Sequence, residues 1–338
     1  MPPTPASFAD ALLLTGPTGS GKTALALDLA ERWNAEIVAA DSMTVYRHLD
    51  IGTAKPTAAE LSRVRHHLVG VLEPWESANV AWWLTAADAA CRDIRSRGKR
   101  PLFVGGTPFY LKALMCGLFD GPPSDPAVRA RLEADAAADR HAAHERLRQC
   151  DPRTASRLHV NDLRRVARAL EVFALTGTPI SALQQSWDSP AFAAPGEARP
   201  AAAALPCAIL EWPRPELCAR IDRRVTAMLA AGWLDEVRRL EELPQPPSRE
   251  ASQALGYPEL RGVLSGETTL AAATAAIRTR TRQFAKRQMT WFRGLRVGTF
   301  VRADGDTSAV LEQIAALFGS QAGFFGDNAS AAVTVPIK

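Results

Sequence analysis

The sequence predicts an α/β fold: a parallel-sheet core carrying an α-helical insertion domain and a helical C-terminal section. Three observations lead there. Over roughly the first 120 residues, short apolar runs ended by turn residues alternate with amphipathic helical stretches, the pattern of a parallel sheet covered on both faces. After Gly121-Pro122-Pro123, residues 125–185 keep a helical periodicity rich in Ala and Arg with no convincing strand. An apolar run at 207–212 (CAILEW) then returns to strand character before long helices over 214–243 and about 267–293.

Taken in order, residues 11–15 (ALLLT) read as a short buried strand, followed by a Gly-rich turn and an apolar helix, ALALDLAERW. Residues 35–40 (AEIVAA) form a second strand ending at Asp41-Ser42. A helix is expected over 80–97, and Pro101 to Val104 is a third strand ending at Gly105-Gly106-Thr107. In an open parallel sheet the ligand crevice lies beyond the carboxyl ends of the strands, so these three polar strand ends should converge. The Pro/Ala/Gly stretch 189–206 reads as a loop, and no periodicity is visible beyond Gly319. The domain reading is a core of 1–120 with 205–318, an insertion at 121–204, and a flexible tail at 319–338.

Composition bounds the function. The 338 residues are 47% hydrophobic and 22% charged, with a net charge of +4, an ordinary globular balance that says little about partners. No apolar run is long enough to span a bilayer, and the first ten residues lack the basic start and apolar segment of a secretory signal. The five cysteines (Cys91, Cys116, Cys150, Cys207, Cys218) are scattered and never in CxxC spacing, so a reducing cytosol fits better than a disulfide or zinc framework. A cytoplasmic monomer without a membrane contact is expected. One charge run stands out. Arg278, Arg280, Arg282, Lys286, Arg287, Arg293, Arg296 and Arg302 occur with no acid among them and with Phe284, Trp291, Phe292 and Phe300 interleaved. A solvated helix face explains such a run taken alone, and a polyanion partner is the other reading.

The turn after the first strand is Gly16-Pro17-Thr18-Gly19-Ser20-Gly21-Lys22-Thr23, which fits G-x-x-x-x-G-K-S/T between a strand and a helix. It makes the core P-loop NTPase-like. Backbone amides can approach phosphate oxygens there, Lys22 adds a point charge, Thr23 a hydroxyl for Mg²⁺, and the helix N-terminus a partial positive charge. A pyrophosphate ligand follows, but not which one. A nucleotide hydrolase adds a strand ending in a metal-holding Asp, whereas the third strand here ends in Gly-Gly-Thr. Asp41 could hold metal through water, serve as a general base, or be only a loop acid or helix cap.

Other residues have plain alternatives as well. Arg164, Arg165 and Arg168 can be an exposed helix face, and Trp291 and Tyr257 can be packing residues. His66 and His67 point apart and lack a third ligand, so a metal reading is rejected. His159 reads as structural.

Seven blocks in order resemble the tRNA dimethylallyltransferase family. They are Gly16–Thr23 (GPTGSGKT), Asp41–Pro56 (DSMTVYRHLDIGTAKP), Gly105–Leu114 (GGTPFYLKAL), Arg157–Gly177 (RLHVNDLRRVARALEVFALTG), Arg220–Met228 (RIDRRVTAM), Gln253–Leu260 (QALGYPEL) and Thr281–Arg293 (TRQFAKRQMTWFR). The resemblance implies transfer of a dimethylallyl group from dimethylallyl diphosphate to N6 of adenosine 37 beside the tRNA anticodon. It implies the diphosphate in Gly16–Thr23 with Mg²⁺ at Thr23, and Asp41 as the base for the attacking nitrogen. Thr107 and Arg220 would stand near the reacting atoms, with Arg224 a second diphosphate candidate that spacing does not separate from Arg220. It also implies contacts to the anticodon stem-loop from Asp41, Ser42, Met43, Thr44, Thr107, Arg129, Asn161, Asp162, Leu163, Arg164 and Arg165. Gly256, Tyr257, Lys286, Arg287 and Arg293 complete that set.

This chain departs from the family pattern at Thr44, where Gln is common, and at Arg65–Gly70, Ala78–Trp83 and Pro108-Phe109. Two other functions share the loop: prenylation of free adenine nucleotides, and a P-loop NTPase or RNA-binding module without prenyl chemistry. The insertion and the basic helix argue against the first, and the missing strand-end carboxylate against the second.

Overall fold

The computed structural model describes residues 3–119, 121–184, 205–295 and 298–321. Within these, the residues up to Met115 and from 205 onward form one compact unit, and those from Cys116 to 184 form a second.

The first unit is built on a six-stranded parallel sheet. Its strands are β1 (Leu12–Thr15), β2 (Ala35–Ala39), β3 (His66–His67), β4 (Arg100–Gly105), β5 (Cys207–Glu211) and β6 (Gly298–Arg302), in the spatial order β3-β2-β4-β1-β5-β6. β1 lies centrally, with Leu13 paired to Phe103 on one side and Cys207 on the other. Every β1 and β2 residue is buried, as strands covered on both faces must be. One cover packs Leu25, Leu29 and Ile314 against Leu14 and Ile37. The short β3 and the edge strand β6 escaped sequence reading: two residues, or five of which only Val301 is buried, carry too little pattern.

The helix expected over 214–243 is two helices, Arg214–Ala230 and Trp233–Glu241, broken at Gly232, whose φ of 94° no ordinary helical residue adopts. The last described helix runs Thr307–Gln321, so the expected tail begins inside a helix at Gly319; the rest of it, and nearly all of the 189–206 loop, lie outside the described residues. Among the described residues no helix is long and apolar enough to cross a membrane.

Two buried carboxylates organise the first unit. Glu36, 1% exposed on β2, meets His67 at 2.8 Å and Arg97 at 2.6 Å, so His67 has a partner. Burial alone would raise the Glu36 carboxyl, but hydrogen bonds from Arg97, His67 and Lys99 hold it down at about 2. Glu236, 3% exposed, accepts the amides of Asp50 (2.9 Å), Ile51 (2.7 Å) and Gly52 (3.1 Å) and the Tyr257 hydroxyl (2.7 Å). That carboxylate ties the 50–56 loop to the C-terminal helices.

The second unit is helical throughout its elements: Pro126–Ala138, Arg140–Cys150, Pro152–Ala155, Leu163–Thr176 and Ile180–Leu183. Leu132, Leu147, Val166 and Leu170 form its own core. Asp125, Asp139, Asp151 and Asp162 cap successive helices there, each accepting a first-turn amide.

Replacing Glu236 with Ala should lower unfolding stability by about 3–5 kcal/mol, because several buried donors lose their acceptor together. Tyr257→Phe, which removes one donor, should cost only about 1 kcal/mol. Urea unfolding of the two variants measures this; equal losses would show that Glu236 does no more than hold the tyrosine.

Candidate functional site

The site grows from the turn after β1. Thr15 donates its hydroxyl to the Gly105 carbonyl (2.7 Å), fixing β1 to the end of β4. Gly16 follows because a Cβ there would stand 2.8 Å from the Leu210 carbonyl of β5. Gly19 and Gly21 have φ of 84° and 87°, which a side-chain-bearing residue rarely adopts. Gly21 begins the helix Lys22–Arg32 without any capping side chain, so the first-turn amides stay available to an anion.

Side chains from far along the chain brace this loop. Arg220 donates through Nε to the Gly19 carbonyl (2.9 Å), and its guanidinium lies 4.1 Å from the ring centroid of Trp212. Trp212 donates its indole N–H to the Ser20 carbonyl (3.0 Å). Arg224 donates to the Thr18 hydroxyl (2.5 Å), and the Thr18 amide donates to Oε1 of Gln288 (2.8 Å). Lys22 reaches back to the carbonyls of Gly16 (2.8 Å) and Pro17 (2.9 Å).

β2 delivers Asp41 beside this loop. Its Oδ1 accepts the amides of Met43 (2.8 Å) and Thr44 (3.3 Å), so one oxygen shapes the turn and Oδ2 remains. Thr107 accepts the Ser42 amide through its hydroxyl (3.0 Å) and donates its own amide to the Ala40 carbonyl (3.2 Å), joining the β2 and β4 ends. Gly105 is required there, since a Cβ would stand 2.1 Å from the Ala40 oxygen. Behind them Trp83, from the stretch that departs from the family pattern, donates its indole N–H to the Ala39 carbonyl (2.9 Å) and stacks on Tyr110.

Residues of the loop, of both strand ends and of the bracing helices line one cavity of about 560 Å³, with Thr107 behind that lining. Lys22, Thr23, Asp41, Arg220, Arg223 and Arg224 supply its polar wall; Ile37, Ala39, Val69, Val104 and Phe284 supply an apolar one. The cations are crowded. Burial pushes the Lys22 ammonium down to about 8, helped by Arg224 and opposed by Asp41. Arg224 is lowered by burial and by Arg220 against the pull of Asp41, and Arg220 by burial and by Arg223. Such a site gains by taking an anion with a neighbouring apolar group.

Thr23 and Asp41 both offer hard oxygen donors to the cavity, which suits Mg²⁺ carried mainly by phosphate and water. No cluster of three or more metal-ligating side chains exists among the described residues, so the protein would contribute only a part of the shell.

The residues expected to contact RNA fall into three groups. Asp41–Thr44 and Thr107 lie at the strand ends, with Thr44 9% exposed and its hydroxyl without a partner. Asn161–Arg165 open the helix Leu163–Thr176 in the second unit, where Asn161, Arg164 and Arg165 are exposed, Asp162 caps the helix and Leu163 packs on the core. Lys286, Arg287 and Arg293 are exposed on the helix Leu270–Arg293.

Other residues of that set already have partners within the protein. Arg129, partly exposed, is bound to the fully buried Glu171 together with Arg168. Tyr257 is 2% exposed and bonded to Glu236, and a Cβ on Gly256 would stand 2.2 Å from the Trp233 ring, so the tyrosine side chain packs inside the first unit. Half of the basic run is also spent inside the first unit or locally: Arg278 on Thr226, Arg280 on Glu259, Arg282 on Asp222 and Arg302 on Asp304. Arg296 lies outside the described residues. Gln288, Trp212 and Arg223 went unread. The available signal for Gln288 was a polar residue on the buried stripe Thr281, Ala285, Gln288, Phe292, where a buried amide demands partners.

With the geometry in place, comparison with known proteins is informative. A family model described as IPP transferase matches residues 44–295, and one described as isopentenyl transferase matches residues 9–70. A tRNA dimethylallyltransferase 1 from Trichlorobacter lovleyi is 45% identical over 318 residues, spanning 91% of this chain and 98% of that protein. A tRNA dimethylallyltransferase from Ralstonia nicotianae is 46% identical, spanning 84% and 88%. The fold is similar to the crystal structure of the full-length tRNA isopentenylpyrophosphate transferase from Bacillus halodurans, at 34% identity and a TM-score of 0.65 over 93% of this chain and 98% of that one. It is also similar to a eukaryotic dimethylallyltransferase captured acting on tRNA, at 27% identity and a TM-score of 0.73 over 94% and 81%.

The depressed Lys22 sets a pH dependence. A bound phosphate dianion raises its pKa again, so binding above pH 8 takes up a proton and weakens as pH rises, by up to about tenfold per unit. In the free protein the sign is opposite: a folded-state value of about 8 against 10.5 unfolded means this group's contribution to stability improves from pH 8 towards 10.5. Calorimetric titration with magnesium diphosphate between about pH 7.5 and 9.5 reads the binding limb directly. Lys22→Met should flatten it, and a flat wild-type curve would take Lys22 away from the ligand.

Proposed function

The chain belongs to the IPP transferase family, and on that premise we propose that it transfers a dimethylallyl group from dimethylallyl diphosphate to N6 of adenosine 37 in tRNA, releasing diphosphate. The observation that carries the reading is one cavity lined together by phosphate-loop residues, by Arg220, Arg223 and Arg224, by Asp41, and by the apolar Ile37, Ala39, Val69 and Val104.

In this mechanism the diphosphate lies on the amides that open the helix Lys22–Arg32, with Lys22, Arg220 and Arg224 around it. The prenyl tail lies against the apolar wall. The adenine N6 forms a bond to the allylic carbon while the carbon–oxygen bond breaks and its electron pair leaves with the diphosphate. N6 is a poor nucleophile because its lone pair is delocalised into the ring, and the free oxygen of Asp41 accepts its proton. The other carboxylate lining the cavity, Glu60, is held in a capping box with Thr57, which leaves Asp41 for this task. The cations are already in place where negative charge grows on the leaving group, so little reorganisation is needed. Mg²⁺, held through Thr23 and the phosphates, would add charge neutralisation on the same oxygens.

The base must leave its stack to reach the cavity, which is base flipping. The exposed Lys286, Arg287 and Arg293 and the polar opening of the second unit's Leu163–Thr176 helix are the surfaces this reading assigns to the anticodon stem-loop. A free nucleotide needs neither. The working unit is a cytoplasmic monomer, a compartment that five free cysteines support.

Incubation with radiolabelled dimethylallyl diphosphate and either an unmodified anticodon stem-loop or AMP tests the function. Label in the RNA alone is the expected result; label in AMP would make this a free-nucleotide enzyme, and label in neither would remove prenyl transfer. Asp41→Ala should lower turnover about 10²–10⁴-fold, the range for a general base, and far more than it lowers tRNA affinity. An unchanged rate would take Asp41 out of the mechanism.

The exposed basic residues make a separate prediction. Arg287→Ala with Arg293→Ala should reduce tRNA affinity and flatten the plot of log affinity against log salt by about two units of slope. An unaltered slope would return this face to solvent.

A further inference from the structure

Gln288 is 3% exposed, on the helix Leu270–Arg293. A carboxamide has one accepting and one donating end, and both are used on backbone at the site. Oε1 accepts the Thr18 amide at 2.8 Å, and Nε2 donates to the Gly106 carbonyl at 2.7 Å. Thr18 belongs to the phosphate loop. Gly106 directly precedes Thr107, whose hydroxyl holds the Ser42 amide and with it the turn of Asp41. One side chain therefore spans the two loops between which the reaction takes place. The fit is tight: a Cβ on Gly106 would stand 2.7 Å from Nε2, so the absence of a side chain there is what admits the carboxamide.

Resting on the transferase reading above, we propose that Gln288 is a positioning residue for the transfer, setting the separation of the diphosphate loop and the Thr107 strand end through Thr18 and Gly106. Because the Thr18 amide is committed to Gln288, the diphosphate is left with the later amides of the loop, at Gly19 and from Gly21 to Thr23. The boundary of the anion site is thus drawn by a helix some 270 residues away in sequence. Lys286 and Arg287, the residues just before it, face outward on the same helix.

The test separates this role from both simple destabilisation and RNA binding. Gln288→Glu keeps an acceptor for Thr18 but turns a second oxygen towards the Gly106 carbonyl; Gln288→Met fills similar volume and makes neither bond. Calorimetry with magnesium diphosphate should show affinity falling about 10–100-fold in both, the scale of buried polar groups left unpaired. The KM for dimethylallyl diphosphate should rise with it, while the Kd for the anticodon stem-loop, measured by filter binding, stays at the wild-type value. Gly106→Ala, which pushes the carboxamide out from the other side, should give the same split and serves if the Gln288 variants do not fold. Wild-type diphosphate affinity in these variants would overturn the proposal, as would a parallel loss of diphosphate and RNA binding with a lowered Tm. Failure of wild-type protein to prenylate RNA would sink the function reading alone, since diphosphate calorimetry reads Gln288 without turnover.

Discussion

The rest of the molecule depends on keeping one turn of backbone, Gly16 to Thr23, in a shape whose amides point at an anion. That shape is not self-sufficient. Three of its residues are glycines with φ between 84° and 150°, conformations that cost chain entropy and provide no contacts of their own. Its carbonyls at Gly16, Pro17, Gly19 and Ser20 are all occupied by side-chain donors: Lys22, Arg220 and Trp212. Each donor that takes a carbonyl prevents the loop from collapsing onto its own amides. The long crossovers of the parallel sheet make this possible, because β5 and the helices after it return beside β1 and bring Trp212, Arg220, Arg224 and Gln288 with them.

The same arrangement stores electrostatic work. Lys22, Arg220, Arg223 and Arg224 share one cavity with Asp41 as the acid not tied up in a cap, and burial together with mutual repulsion lowers Lys22, Arg220 and Arg224. In the proposed transfer a diphosphate would relieve that repulsion, and relieve it most when the bond between the allylic carbon and its phosphate oxygen has broken and charge on the diphosphate is greatest. Under the proposed function, cations positioned by loop bracing would serve binding and departure of the leaving group alike, which is differential stabilisation of the kind that raises turnover. Arg220 illustrates how rigidly this is arranged: the Trp212 ring beneath it and the Gly19 carbonyl beside it fix both its plane and its reach.

How legible was this in the sequence? The phosphate loop was, because its chemistry is local: a strand, a glycine-rich turn and a helix within a dozen residues. So were β1, β2, β4 and β5, whose apolar runs end at the phosphate loop, Asp41, Thr107 and Trp212. Pairings across long sequence separations were not. The run from Arg278 to Arg302 looked unpaired because its acids, Glu259 and Asp222, sit on other helices. The Arg129 pair with the buried Glu171 spans 42 residues and was equally out of reach. Gly232 was visible, yet the apolar periodicity on both sides of it is continuous enough to read as one helix. Tyr257 and Gly256 fill space around Trp233, a role no short motif can encode.

The end of β4 carries the strongest constraint on what chemistry the cavity can support. A nucleotide hydrolase of this architecture places a metal-holding carboxylate at such a strand end. Here Gly105 has the Ala40 oxygen 2.1 Å from where a Cβ would stand, and Gly106 has the Gln288 amide at 2.7 Å. Neither position can bear a side chain without moving β2 or the loop bracing. The β4 end therefore approaches β2 closely enough for Thr107 to hold the Ser42 amide, and Asp41 is brought to the cavity by that contact. Space that a hydrolase gives to a second metal-binding acid is given to closeness between two strand ends. In the proposed transfer that closeness would set an acid beside the departing diphosphate, where a nucleophile other than water can lose its proton.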